Sequence, residues 1–322
     1  MLVESLRRVL MGQSWDPKSA GDVGLKESAM QRPEILCETF TDLKAKGPSC
    51  ARGIRRVALG NYFTVVELDD CSIGAALSYY QGSSEALQTA SARITDLAGS
   101  DRWLDGLLFG DSTSSLLQGI TSVPENLVLM SLLAAVVSAL SASLIMEGGD
   151  ETFFAAPSIP FDPFDGVNSA VILGLGGYLE TLMMKEEIKH VHVADLKHSV
   201  QDMKRSISRF GKCASNKFVT FSDGSDTVGR LQTAELVCIT GSALCNGTME
   251  AVLDAAQHCR RVIVQGQSAS IHPRAFFRRG VDLIATTVKP IELIKCAESD
   301  PSGRQLKQFL EGGLPWIYLL PR

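Results

Sequence analysis

The spacing of apolar and polar positions divides this chain into two halves with different periods. From residue 168 onward, short apolar runs alternate with amphipathic stretches of helical period. The runs predict strands near 168–174, 190–195, 217–221, 235–240, 261–266 and 282–286. The stretches between them predict helices near 178–188, 197–209, 246–258, 273–279 and 290–298. Strand-helix alternation at this spacing gives a parallel sheet with helices on both faces and right-handed crossovers. The first half reads otherwise. Residues 62–68 are rich in aromatic and β-branched side chains, Asp69-Asp70 makes a turn, and residues 72–79 form a second strand, which together predict an antiparallel hairpin. Helices are expected within residues 1–30, broken by Gly21, Gly24 and an Asp16-Pro17 pair, and again at 86–97 and 103–108, with a Ser/Thr-rich break at 112–115. Residues 147–167, with three prolines and three glycines, read as a linker or a loop capping a cleft. The fold class is therefore α/β: an α+β domain over 1–150, then a Rossmann-like, mostly parallel, doubly wound domain over 151–322.

One segment changes the picture enough to need separate treatment. Residues 127–145, LVLMSLLAAVVSALSASLI, contain no charge and reach the length of a short membrane span. Four serines and four alanines dilute the run, no lysine or arginine anchors either flank, and Pro124 before it and Gly148-Gly149 after it punctuate it as a helix of a folded domain. A buried helix between the two domains is expected, and no membrane partner. The N-terminus carries Glu4, Arg7 and Arg8 within its apolar run and reads as a first helix, not a secretory signal.

Composition narrows the function. A chain of 322 residues with 45% hydrophobic and 21% charged residues is of ordinary globular make-up, and a net charge of −5 without basic blocks argues against a nucleic-acid partner. The eight cysteines are scattered without a C-x-x-C pair, as reduced thiols in the cytoplasm would be. Cys238 reads as a small core residue, and Cys245 has no basic neighbour in sequence to activate it.

The candidate chemistry lies at the ends of the predicted parallel strands, where open α/β sheets bind ligands. Residues 170–200 form a strand, a turn with Gly174, Gly176 and Gly177, a helix, and a second strand ending in Asp195. Such glycines let the backbone approach a ligand at a helix N-terminus, and Asp195, nineteen residues after Gly176, stands where such folds place an acid on a ribose hydroxyl. The third glycine of the dinucleotide fingerprint is absent, since Leu179 takes its place. The strand near 235–240 runs into TGSALCNGT, whose small residues leave room for a ligand: Thr240, Gly241 and Ser242 are candidates for contact. Asn246 is placed either to cap the next helix or to meet the ligand. The strand near 261–266 runs into a loop with Ser268 and His272. His272 is the candidate general acid/base or metal ligand, with Ser242 as its catalytic companion, and its alternative is an ordinary loop histidine. His198 reads as a solvated helix position, and His190 with His192 as a solvated strand edge instead of a metal pair.

The stretch from AELVCITGSALCNGT to GVDLIATTV resembles the C-terminal domain of the putative heavy-metal chelation family. Thr240, Gly241, Ser242, Leu244, Asn246 and Thr248 match its first motif, and Gly266, Ser268 and Pro273 its second, with Gln267 replacing a proline. VVELDDCSIGAALSYY looks like the family's enolase-N-like N-terminal domain. The resemblance implies two domains with a cleft between them and a metal or metal chelate as ligand, whereas the glycine turn and the VADLK after it point to an adenosine-bearing one. The leading expectation is an enzyme using S-adenosylmethionine, with Asp195 on the ribose and the loops at 240–248 and 266–272 on the reacting partner. The alternative is a binding protein for a metal or metal chelate, without catalysis. S-adenosylmethionine is the expected cofactor and a divalent metal its alternative. A nicotinamide cofactor is a weaker variant. The expected partner is a small molecule, in a chain that works alone or as a homodimer.

Overall fold

A computed structural model describes residues 33–46, 52–80, 82–98, 125–175, 178–196, 198–223, 227–311 and 313–322. The helices expected within 1–30 and at 103–108, and the break at 112–115, lie outside these residues.

The first sheet is a three-stranded antiparallel meander of β1 (Ile54–Leu59), β2 (Phe63–Leu68) and β3 (Ile73–Leu77). β2 and β3 are the hairpin read from the sequence; β1 and the preceding helix α1 (Glu34–Ala45) were not anticipated. Every residue of β2 is buried, because both faces of this sheet are covered. Val66 and Leu68 face α1, α2 (Ser84–Ala98) and α3 (Glu125–Met146). Phe63 and Val65 face the last two helices of the chain, α10 (Glu292–Ser299) and α11 (Arg304–Glu311). A fully buried Glu67 on β2 accepts hydrogen bonds from Arg55 and Arg56, and Arg56 also reaches Glu298 on α10. Pairing of this kind is what makes a buried carboxylate tolerable.

The apolar run at 127–145 is the core of α3, and 83% of its apolar window is buried inside the protein. Its alanines have a packing reason. A side chain on Gly74 of β3 would lie 1.9 Å from the Ala135 carbonyl oxygen, so strand and helix meet backbone to backbone. Its serines serve as polar pegs: Ser131 donates to the Leu77 carbonyl, and Ser141 accepts from the His272 amide.

The second sheet has eight strands in the order β4-β11-β10-β9-β8-β5-β6-β7. These are β4 (Phe153–Ala156), β5 (Ser169–Leu173), β6 (His190–Ala194), β7 (Phe218–Ser222), β8 (Leu236–Thr240), β9 (Arg261–Gln265), β10 (Leu283–Thr287) and β11 (Trp316–Pro321). The six from β5 to β10 are parallel, as the alternation predicts. β11 and β4 extend the sheet antiparallel, so the presumed linker at 147–167 contributes an edge strand. The helices between these strands are α4 (Tyr178–Met184), α5 (Val200–Ser208), α6 (Lys212–Ser215), α7 (Thr227–Leu231), α8 (Met249–Ala255) and α9 (Arg274–Phe277). Alternate strand residues feed two cores: Val171, Val237 and Val264 on one face, Ile172, Cys238 and Ile263 on the other. The strand order reverses between β5 and β8, which opens a crevice at their carboxyl ends.

Candidate functional site

A cleft of about 950 Å³ opens at that point. The carboxyl ends of β5, β6, β8, β9 and β10 form its floor. Tyr62, Phe63, Leu77 and Tyr79 from the first sheet face it, and Leu310, Leu314 and Trp316 close another side. It therefore lies between the two sheets.

On the β5–β6 side, Gly174 has φ +90° and donates its N–H to the Ala194 carbonyl at 2.8 Å. A Cβ there would stand 2.7 Å from Cγ2 of Thr240, so glycine is required on two grounds. Asp195 is 8% exposed. Its Oδ2 accepts from the Leu175 amide at 2.8 Å, and its Oδ1 accepts from the His198 amide at 2.9 Å with the His198 ring at 3.0 Å. The acid expected on a ribose thus braces the glycine turn. The Tyr178 amide, at the start of α4, donates to Oε1 of Gln265 at 2.8 Å, so this helix end already has a protein acceptor. Gly176 and Gly177 lie outside the described residues. His198 precedes α5 and lines the cleft beside Asp195, where the sequence put it on a helix face; Glu180 and Arg209 also line it.

The β8–β9 side is built of hydroxyls and amides. Thr240 and Ser242 share a hydrogen bond of 3.1 Å, and the Tyr79 phenol donates to Ser242 at 3.1 Å. Asn246 donates through Nδ2 to the Tyr79 oxygen at 3.2 Å, while its Oδ1 accepts from the Thr248 amide and hydroxyl. Asn246 is therefore not the helix cap: Thr248 holds that position, and Asn246 folds the loop and orients Tyr79. Burial pushes the Tyr79 phenol well above its usual pKa, so it stays a donor at neutral pH. Ser268 lines the cleft and accepts from the Leu77 amide at 2.9 Å. Gly241 is not in the lining; a Cβ there would lie 2.7 Å from the Ala269 amide, so its role is close packing. Behind this wall the fully enclosed Lys289 donates to the carbonyls of Gln267 and Thr287 at 2.7 and 2.9 Å, and burial pushes its pKa well down.

His272 is a correction. It does not line the cleft and does not meet Ser242. Its ring is wholly buried, edge-on to Phe153, with Nε2 2.7 Å from Oδ2 of Asp150 and with Nδ1 lacking a partner. Burial lowers its pKa against the opposing pull of Asp150, so Nε2–H donates to the carboxylate. Burial also works against the Asp150 charge, but hydrogen bonds from Lys46, His272 and Thr152 outweigh it and hold the carboxyl far below its usual range. The group expected to perform acid/base chemistry thus fastens the connection between α3 and β4 to the segment that follows β9. His192, expected at a solvated edge, is 6% exposed and bonded to Thr220 and Ser222, whereas His190 is exposed.

The described lining does not gather the donors that would hold a bare heavy-metal ion. Among the described residues no group of three His, Cys, Asp or Glu side chains could hold a metal ion. The soft donors in the lining are His198 and Cys238, and burial pushes the Cys238 thiol far above its usual pKa.

Residues 177–311 match the family model described as putative heavy-metal chelation. That segment is similar to the domain the family model describes. It contains the whole TGSALCNGT stretch on which the resemblance rests. A protein of unknown function of this family from Pyrococcus horikoshii superposes with a TM-score of 0.53 at 14% identity, over 89% of this chain and 100% of its own. A second, from Desulfitobacterium hafniense, gives 0.55 at 11% identity over 90% and 99%. The mixed α/β fold with its mostly parallel sheet is thus the fold of these proteins. No curated protein matches the sequence.

Tyr79 is the site residue that sequence reasoning missed. It was seen only as the end of a hairpin strand, and nothing in VVELDDCSIGAALSYY marks a contact with a loop 163 positions away.

Proposed function

We propose that this protein binds a metal chelate, a small organic molecule carrying its metal, in the cleft between the sheets. One observation supports this reading above the others: a cleft of about 950 Å³ with a wall of hydroxyl and amide groups on its β8–β9 side and, among the described residues, no metal-ligating set. Such a volume suits a ligand of drug-like size and is far larger than an ion. The family description supplies the metal, and the lining asks for an organic carrier around it. Thermal unfolding with zinc ions, zinc citrate and metal-free citrate tests this. Zinc citrate at saturating concentration should raise the midpoint by several degrees, since ligand at about 100 times Kd stabilises by roughly 2.7 kcal/mol. Zinc ions alone should not. Equal stabilisation by zinc ions would overturn the reading.

A second reading keeps one observation in its favour. Asp195 lines the cleft at the end of β6, next to the reversal in strand order, where adenosine ligands such as S-adenosylmethionine place their ribose. Asp195→Asn retains one acceptor for the turn and should weaken S-adenosylmethionine about tenfold, roughly 1.4 kcal/mol, in titration calorimetry. Unchanged affinity, or no binding to either protein, removes this reading.

A further inference from the structure

The hydroxyl wall has a fixed polarity, and that polarity selects a ligand class. Two acceptor contacts from Thr248 lock the Asn246 amide with its nitrogen toward Tyr79. The Tyr79 oxygen accepts that N–H and its own hydrogen goes to Ser242. Ser242 thus uses a lone pair on Tyr79 and shares one further hydrogen bond with Thr240, whose oxygen also faces the Ser242 amide at 3.4 Å. Two hydroxyls have two hydrogens, and the bond between them consumes one. Whichever of the pair donates, the other keeps a hydrogen that meets no acceptor among the described residues. Both side chains line the cleft, and Gly174 presses against Thr240 without a side chain of its own.

We infer that Ser242 and Thr240 form a donor subsite, set by Tyr79 from the other sheet, which takes an acceptor oxygen of a carboxylate-bearing ligand. Resting on the chelate reading, this makes the carrier a carboxylate chelator of the citrate type, not a polyamine. It also makes Tyr79 a positioning residue that acts through Ser242. The first sheet then belongs to the binding site as well as to the scaffold.

The test compares zinc citrate, metal-free citrate and zinc triethylenetetramine by titration calorimetry on the full chain and on Tyr79→Phe and Ser242→Ala. Zinc citrate should bind the unaltered chain at least tenfold tighter than the polyamine complex. Tyr79→Phe should weaken zinc citrate about fivefold and Ser242→Ala about tenfold, with the polyamine complex unmoved and the unfolding midpoints within a few degrees of the parent. Equal affinity for the two complexes, or equal loss of both in Tyr79→Phe, would overturn the donor subsite and leave chelate binding standing. Binding of metal-free citrate alone, dependent on Tyr79, would sustain the subsite and overturn the chelate reading. Absence of binding by all three probes overturns both.

Discussion

The two walls of the cleft use polar groups in opposite ways. On the β5–β6 side, Asp195 takes the amides of Leu175 and His198, and Gln265 takes the first amide of α4. These groups hold the turn in shape. On the β8–β9 side, the chain from Thr248 through Asn246 and Tyr79 to Ser242 ends with a hydrogen still to give. A glycine turn at the head of a helix announces an anion site only when its amides face open space. Among the described residues, the wall with the familiar sequence pattern spends Asp195 and Gln265 on its own backbone, and the plainer wall is the one that keeps a donor for the proposed ligand.

The strongest way to break this comparison is to remove the glycine that joins the walls. Gly174→Ala places a methyl group 2.7 Å from Cγ2 of Thr240 at a φ of +90°. Backbone strain and overpacking at such a position each cost about 1–3 kcal/mol, so a loss of about 3 kcal/mol is expected in denaturant unfolding. The displaced Thr240 should also disturb zinc citrate binding. A loss below about 1 kcal/mol would mean that the turn is not held as rigidly as its hydrogen bonds indicate.

Periodicity carried most of the parallel sheet, because its strands are continuous apolar runs separated by amphipathic helices of regular length. It missed β4, which lies among prolines, and β11, whose partners are far away in sequence. It also could not show that α10 and α11 return to cover the first sheet, since that depends on which faces meet and not on any local pattern. At the cleft, Thr240, Ser242, Asn246 and Ser268 were legible in place because each follows the carboxyl end of a strand that periodicity predicts. Asp195 was legible in place, while the hydrogen bonds it makes to its own turn leave no trace in spacing. His272 was misread for a related reason: a histidine before a proline at a strand end looks like a loop residue, and only the fold brings Asp150 to it.

The position of His272 gives the next prediction, of intermediate size. If it belonged to the hydroxyl wall, its removal would change ligand binding; paired with Asp150 outside the cleft, it should change stability alone. His272→Leu leaves the half-enclosed Asp150 carboxylate short of a donor, a cost of about 2 kcal/mol. The pH dependence follows from the sign of the shift. A histidine with a folded pKa below its ordinary value of about 6.5 takes up its proton more readily unfolded, so its contribution is complete above that value and declines as pH falls below it. Asp150, also lowered, adds a loss in the same direction at still lower pH. Urea midpoints between pH 7 and 5 should therefore fall more steeply for the parent than for His272→Leu, with zinc citrate affinity equal at pH 7. Equal slopes would exclude the buried neutral imidazole.

The smallest effect separates two serines of one wall. Ser268 accepts the Leu77 amide and ties the first sheet to the second. Ser268→Ala orphans that half-buried N–H, and about 1 kcal/mol of stability should go with it. Ser242 accepts the Tyr79 phenol, whose rotation toward the cleft can relieve its loss, so Ser242→Ala should cost less than half as much. Their order should invert in ligand titration, where Ser242 belongs to the donating pair with Thr240 and Ser268 only shapes the floor. Calorimetric unfolding and zinc citrate binding on both variants read the two rankings directly. If the same serine led both, recognition and architecture would not be divided between them, and the distinction between a satisfied wall and a donating wall would fail at the residues that define it.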